Sequence, residues 1–470
     1  MIADHYRDAL ALIPAARRLI DPHAVGDHLL FRAASGTHTY VTAIGRLGHG
    51  EHLRWQNGRA VRRIFDPLVA RPQADREPLD LVDVGLSKAI GRLPVTRGCV
   101  NQLSGGIDSS LLQTYLPTGT STASGTIDSP EFAVDRAYAE RASRLLRTNH
   151  KFVAVEERDY LSLIVDVIRR CGVPIRMPQT AVYYPCFQLP AASFMNGQGA
   201  GAVFGLTPSL HYVDCFDQRR WLRLAEALRL ALLLPTQQAK GLRRRIGRLR
   251  RIEAAVGDRE GLGPRYAIVT NWELAERILG AQTVRERIDS RAVYVAERFH
   301  SEERDENPLF AHLEFGHVLS LLTDEPLSNW RQLMHTHGKC MLAPFACRSV
   351  VEAALAVPRS RRYVANGRMK YLLKDLLKRR LPAFEVDVRK ATGDLPLGRY
   401  FLDGPLKAAF ERYAMPDFVD RDVAAATCAA PDWLTWNLLS FAIWRDEVLS
   451  NAALALSFST RVFSPSSSAR

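Results

Sequence analysis

The stretch Leu103-Ser104-Gly105-Gly106-Ile107-Asp108-Ser109-Ser110 carries the densest set of chemistry-bearing residues in this 470-residue chain. Two adjacent glycines let a backbone come close to an oxyanion, and Ser104, Ser109 and Ser110 offer hydroxyl donors. A helix opening at 111–112 would add unpaired N–H groups and the positive end of a dipole. Asp108 is the odd member, because a carboxylate repels phosphate unless a divalent cation lies between them. The loop therefore reads as a cradle for phosphate and Mg²⁺, with Asp108 as the metal ligand. It is not a Walker A box, which ends in Gly-Lys-Ser/Thr.

Such a loop has to sit at the end of a buried strand. Residues 98–103 supply one, and from about residue 80 helix and strand alternate as in an open parallel sheet. The spacing predicts a helix over 79–91, strands over 99–103, 121–127, 151–155 and 191–196, and a helix over 131–146. The last strand runs into Gly197-Gln198-Gly199-Ala200-Gly201. In such sheets ligands bind beyond the carboxyl ends of the strands, so 104–106 and 197–201 should face one nucleotide. From about 206 the chain reads as mostly helical. The first 70 residues read as a small β-rich unit, with a hairpin turning at Gln56-Asn57-Gly58 and a linker over 66–77.

Composition narrows the class. With 47% hydrophobic and 24% charged residues this is an ordinary globular chain, and no apolar run is long enough to cross a bilayer. The seven cysteines include no Cys-x-x-Cys pair, and the N-terminus lacks a secretory pattern, so reduced thiols, a cytoplasmic location and no zinc site are expected. A net charge of +13 raises the question of nucleic acid. Much of it falls in 240–251 and 359–380, whose apolar spacing suits solvated basic helix faces, and no nucleic-acid-binding signature accompanies them. The pairs around His335 and His337 have no third ligand nearby, which favours packed histidines over a metal site.

The 104–109 stretch resembles the pyrophosphate loop of the asparagine synthetase superfamily, whose members adenylate a carboxylate with ATP and let an amine displace AMP. The resemblance implies an adenine-nucleotide alpha hydrolase-like α/β fold, a parallel sheet with helices on both faces and a mostly helical C-terminal half. It implies that Leu103, Ser104, Gly105, Gly106, Asp108, Ser109, Ser110, Gly197 and Gln198 bind ATP and pyrophosphate. It also extends over residues 381–396, where Arg389 and Lys390 match the pair that supplies the catalytic lysine. Lys390 would support developing negative charge, and Arg389 would help to bind phosphate.

Residues 1–70 resemble the last third of a glutaminase domain, on Asp21-Pro22-His23-Ala24-Val25, 45–51 and Phe65-Asp66-Pro67. Such a glutaminase needs an N-terminal cysteine, whereas position 2 is Ile2 and the first cysteine is Cys99. Glutamine hydrolysis is not expected from this chain as it stands: either the unit is a remnant or the start codon lies further upstream. The organisation expected is a truncated glutaminase-like unit at 1–70, a synthetase domain at 78–450 and a partly disordered tail at 451–470.

Two departures from the superfamily pattern stand out. Gly201 occupies the place of an aspartate that serves as a second Mg²⁺ ligand, with Asp214 and Asp217 as conceivable substitutes, and Pro344-Phe345-Ala346-Cys347 replaces the Pro-Phe-Leu-Asp of asparagine synthetases. The 197–201 loop, the second departure and the basic insert at 217–255 all resemble the lasso peptide macrolactam cyclases. The expected reaction is ATP-dependent closure of an amide between a carboxylate and an amine of one precursor peptide. The expected partners are that peptide or a small carboxylate, a maturation protease and a leader-peptide-binding protein, with no nucleic acid and no membrane. The alternatives are a β-lactam synthetase, an asparagine synthetase using free ammonia, and a nucleotide-binding pseudoenzyme, to which Gly201 points.

Overall fold

The computed structural model describes residues 2–57, 59–95, 98–205, 270–302, 326–365, 368–387 and 395–450. Arg389, Lys390, the 217–255 insert with Asp214 and Asp217 before it, and the 451–470 tail lie outside the described residues.

The N-terminal unit begins with two helices, α1 (Tyr6–Ala11) and α2 (Pro22–Phe31). Its strands are confined to the hairpin of β1 (Glu51–Gln56) and β2 (Arg59–Phe65) and the short β3 (Leu68–Ala70). The two helices depart from the β-rich expectation. Asp21 caps α2 by accepting from the His23 N–H at 2.9 Å, and Pro22 takes the first helical position, where its missing N–H costs nothing. The hairpin forms as expected, with Asn57 at φ +50. β3 lies inside the expected linker and pairs in parallel with β8 (Phe299–Ser301), 231 residues further on in the Ala70 and Ser301 register, which no local pattern announces.

The central sheet has five parallel strands in the order β6-β5-β4-β7-β9, namely β6 (His150–Val155), β5 (Ser121–Ile127), β4 (Cys99–Gln102), β7 (Ser193–Met195) and β9 (Cys340–Leu342). Four of these were legible in the sequence. The fifth, β9, is three residues long, too short for a strand pattern to announce it.

Side chains alternate between the two faces as strand geometry requires. Val100 and Phe194 join one core with α6 (Tyr160–Cys171) and the helix Trp433–Trp444. Cys99, Met195 and Leu342 join another with α3 (Pro78–Arg92), α4 (Ile107–Gln113) and the helices Arg348–Leu355 and Tyr371–Arg380. α3 and Arg348–Leu355 cross so tightly that a Cβ on Gly85 would stand 2.6 Å from the Ala353 Cβ. α5 (Pro130–Leu146) follows β5 and packs beside α4.

The N-terminal unit shares the first core. His28 is fully buried between Tyr40 Oη at 2.9 Å from Nδ1 and the Asn437 carbonyl at 3.1 Å from Nε2, and Asn437 Nδ2 donates to the His28 carbonyl at 3.0 Å. The carbonyl can only accept, so Nε2 carries the proton and Nδ1 accepts from Tyr40. Burial holds this imidazole at a pKa of about 4, well below its usual value.

Candidate functional site

The loop after β4 is rooted by a polar chain across three strands. The Leu103 N–H donates to the Ala123 carbonyl at 3.0 Å, and the Leu103 carbonyl accepts from Ser124 Oγ at 2.5 Å. Ser124 Oγ, its proton engaged, accepts from His150 Nε2 at 3.1 Å, and His150 Nδ1 lies 2.9 Å from Thr122 Oγ1. Burial lowers the His150 pKa to about 4, so this ring stays neutral.

Gly105 turns the chain at φ +74 and lies flat on α5. A Cβ there would meet the Tyr138 carbonyl group at 2.3 Å and the Ala139 nitrogen at 2.6 Å, so only glycine fits. From below, the fully buried Asn101 holds α4 by donating to the Ser109 carbonyl at 3.1 Å and to Gln113 Oε1 at 2.9 Å. The hydroxyls are not equivalent. Ser104 is exposed at the loop mouth. Ser109 is turned inward, accepting from the Ser104 N–H at 3.2 Å. Ser110 is wholly enclosed, and its N–H donates to the Gly106 carbonyl at 3.1 Å. Sequence types suggested three outward donors; the fold presents Ser104 and gives Ser109 the task of closing the loop.

The end of β7 comes up alongside. Gly197 abuts the loop so closely that a Cβ on it would stand 3.1 Å from the Asp108 Cβ and 3.2 Å from the Ser109 nitrogen. The Gln198 N–H donates to Asn196 Oδ1 at 3.1 Å, and Gly199 turns at φ +97 into the helix Ala200–Phe204. Gly197 is thus brought to Asp108, as the sheet order requires, because β4 and β7 are neighbours, while Gln198 is shown only in its bond to Asn196.

One residue at this mouth had not been singled out. Lys370 Nζ lies 2.9 Å from Asp108 Oδ2 and 3.2 Å from Oδ1, with 262 residues of chain between the two. It follows the hairpin of β10 (Val364–Ala365) and β11 (Arg368–Met369) and precedes the helix Tyr371–Arg380. Its backbone is left-handed at φ +54, held by its N–H donating to the Tyr363 carbonyl at 3.1 Å. No local pattern marks it; the one available signal was Asp108 itself, a carboxylate that required a cation.

On the outer side of the Gly-Gly turn a groove is lined by Gly105, Gly106, Tyr138, Arg141, Phe384 and Glu385. Phe384 and Glu385 are thus beside the loop, three to six residues before Arg389 and Lys390 in the sequence.

The donor set can be tested against Mg²⁺. Asp108 brings a carboxylate to the junction of the loop and Gly197, it already holds an ammonium, and among the described residues no group of three or more His, Cys, Asp or Glu could hold a metal ion. That set suits Mg²⁺ arriving on nucleotide phosphates, which needs one or two carboxylates and keeps its waters, rather than a metal caged by protein.

A five-stranded parallel sheet whose adjacent strand ends form a glycine-rich, serine-bearing mouth defines an α/β protein of the nucleotide alpha hydrolase type. The family model for asparagine synthase matches residues 94–446, three quarters of the chain, and the protein belongs to that family. The family's enzymes are ATP-dependent ligases that form carbon–nitrogen bonds. Comparison with curated proteins gives no match. No helix among the described residues is long and apolar enough to cross a membrane.

Proposed function

We propose that the chain adenylates a substrate carboxylate with ATP, releasing pyrophosphate, and that an amine then displaces AMP to leave an amide. The observation that carries this reading is the apposition of the 104–109 loop and Gly197, with Asp108 and Lys370 at their junction. The Gly105-Gly106 backbone and Ser104 would bind the β- and γ-phosphates. Asp108 would hold Mg²⁺, which when bound neutralises charge on the leaving pyrophosphate. Lys390 would support charge developing at the reacting centre and Arg389 a phosphate; a flexible ammonium suits a transient charge and a guanidinium a fixed one.

Among the family's reactions we favour macrolactam closure of a lasso-type precursor, in which carboxylate and amine belong to one peptide. Ala346 and Cys347, in place of the Leu-Asp of asparagine synthetases, support this, as does the basic 217–255 insert as a surface for a peptide. A maturation protease and a leader-binding protein would then act before it, in the cytoplasm.

The test is carboxylate-dependent exchange of pyrophosphate into ATP with candidate precursor peptides, run beside aspartate plus ammonium. Exchange with a peptide supports the cyclase, and product with aspartate and ammonium supports asparagine synthesis. Nucleotide binding without exchange on any carboxylate supports the second reading, a pseudoenzyme, which Gly201 favours because it brings no carboxylate to the mouth.

A further inference from the structure

The peptide that joins β4 to the loop is held along both of its edges. On one side the Leu103 carbonyl accepts from Ser124 Oγ at 2.5 Å, and on the other the Ser104 N–H donates to Ser109 Oγ at 3.2 Å. A planar trans peptide points its carbonyl and its N–H in opposite directions, so these two contacts fix how the plane is turned. Turned over, it would aim the carbonyl oxygen toward Ser109 and into the loop, where an acceptor repels phosphate oxygens. The hold on the carbonyl is one hydroxyl proton, and that proton has a choice. Ser124 Oγ also lies 3.1 Å from His150 Nε2. An imidazole with its proton on Nδ1 would accept from Ser124 at Nε2 and leave the Leu103 carbonyl without its donor.

The neutral ring has one proton to place, and Thr122 governs where it goes. Thr122 is 1% exposed, and its Oγ1 lies 2.9 Å from Nδ1, where it donates. Thr148 Oγ1 lies 2.9 Å from the same hydroxyl and donates to Ser143 Oγ at 3.1 Å, which ties the group to α5, the helix on which Gly105 lies. We propose that Thr122 and His150 are positioning residues for nucleotide binding: by fixing the Nε2–H tautomer they commit the Ser124 proton to the Leu103 carbonyl, and so set the face that the loop presents to phosphate. This rests on the reading that the 104–109 loop takes ATP. Neither residue needs to touch the nucleotide, because both act through the plane of one peptide.

The experiment is calorimetric titration of the full chain with a non-hydrolysable ATP analogue in excess Mg²⁺, with the thermal midpoint of each variant measured beside it. Ser124→Ala and His150→Leu are expected to bind at least about tenfold more weakly than wild type, as the loss of one committed donor would cause. His150→Gln carries an amide nitrogen near the place of Nε2 and is expected to stay within about threefold of wild type, even where its midpoint falls as far as that of His150→Leu. A purely structural role would not separate these two variants in affinity. Heteronuclear NMR of the imidazole nitrogens, with the His150 signal identified by its absence from His150→Gln, is expected to find the proton on Nε2 in wild type and a mixture of tautomers in Thr122→Val. His150→Leu binding like wild type overturns the proposal, as does a wild-type ring protonated on Nδ1. An unmixed tautomer in Thr122→Val removes Thr122 from its role. If His150→Leu does not fold, Ser124→Ala and the wild-type tautomer still decide. No binding by wild type overturns the nucleotide reading itself and this proposal with it, whereas wild-type binding matched by Ser124→Ala overturns the proposal alone.

Discussion

Replacing Gly105 by alanine tests whether the loop's shape, more than its polarity, makes the site. The added Cβ would stand 2.3 Å from the backbone of Tyr138, so loop and α5 must separate by at least about 0.7 Å to reach a tolerable 3.0 Å. The positive φ adds about 1 kcal/mol for any residue with a Cβ, and forcing packed backbones apart adds about 1 to 3 kcal/mol. A total near 3 kcal/mol, against an unfolding entropy of about 2.1 cal/mol/K per residue, lowers Tm by about 3 °C if the chain unfolds cooperatively. Function should suffer more than stability, since a displacement of order 1 Å at a reacting group costs about a hundredfold in rate. Scanning calorimetry and pyrophosphate exchange would be run beside Gly91→Ala, where a Cβ meets nothing within 4 Å at the end of α3. Wild-type Tm and exchange in Gly105→Ala would refute the argument that the loop must lie on α5.

Three further outcomes follow from the same geometry. Lys390→Ala should abolish amide formation while leaving ATP-analogue affinity within about threefold, and normal turnover would remove Lys390 from its assigned role. Asn101→Leu should lower stability by about 1 to 3 kcal/mol in urea denaturation, because Gln113 Oε1 loses its buried partner; no change would show that Asn101 does not hold α4. His28 is neutral in the fold with a pKa of about 4 and binds a proton near pH 6.5 when unfolded, so its contribution is whole above pH 6.5 and is lost as pH falls toward 4. The stability advantage of wild type over His28→Gln should therefore shrink by up to about 3 kcal/mol between pH 7 and pH 4, and a gap that does not change with pH would contradict the buried neutral ring.

What was legible in the sequence followed from short-range rules. Asn57 before a glycine announced the hairpin, and β4 with its two glycines announced the phosphate loop, because both depend on a few consecutive residues. The apposition of Gly197 to Asp108 was also readable, since strand ends in a parallel sheet converge on one edge. Asp21-Pro22 is a readable helix start, a capping carboxylate before a proline, inside a stretch whose other signals point to strands. β9 and the β3–β8 pair are three residues each and exist only through neighbours supplied by the fold. Ser109 and Ser110 show the limit of reading types alone: which hydroxyl faces out is set by the turn at Gly105. Lys370 was out of reach for another reason, since 262 residues and a β-hairpin separate it from the carboxylate it serves.

A crystal structure of the chain with a non-hydrolysable ATP analogue tests the central claim most directly. The account predicts the triphosphate within hydrogen-bonding distance of the 104–106 backbone and of the Lys370 ammonium, with Gly197 alongside. Nucleotide bound elsewhere, with that loop empty, would contradict it.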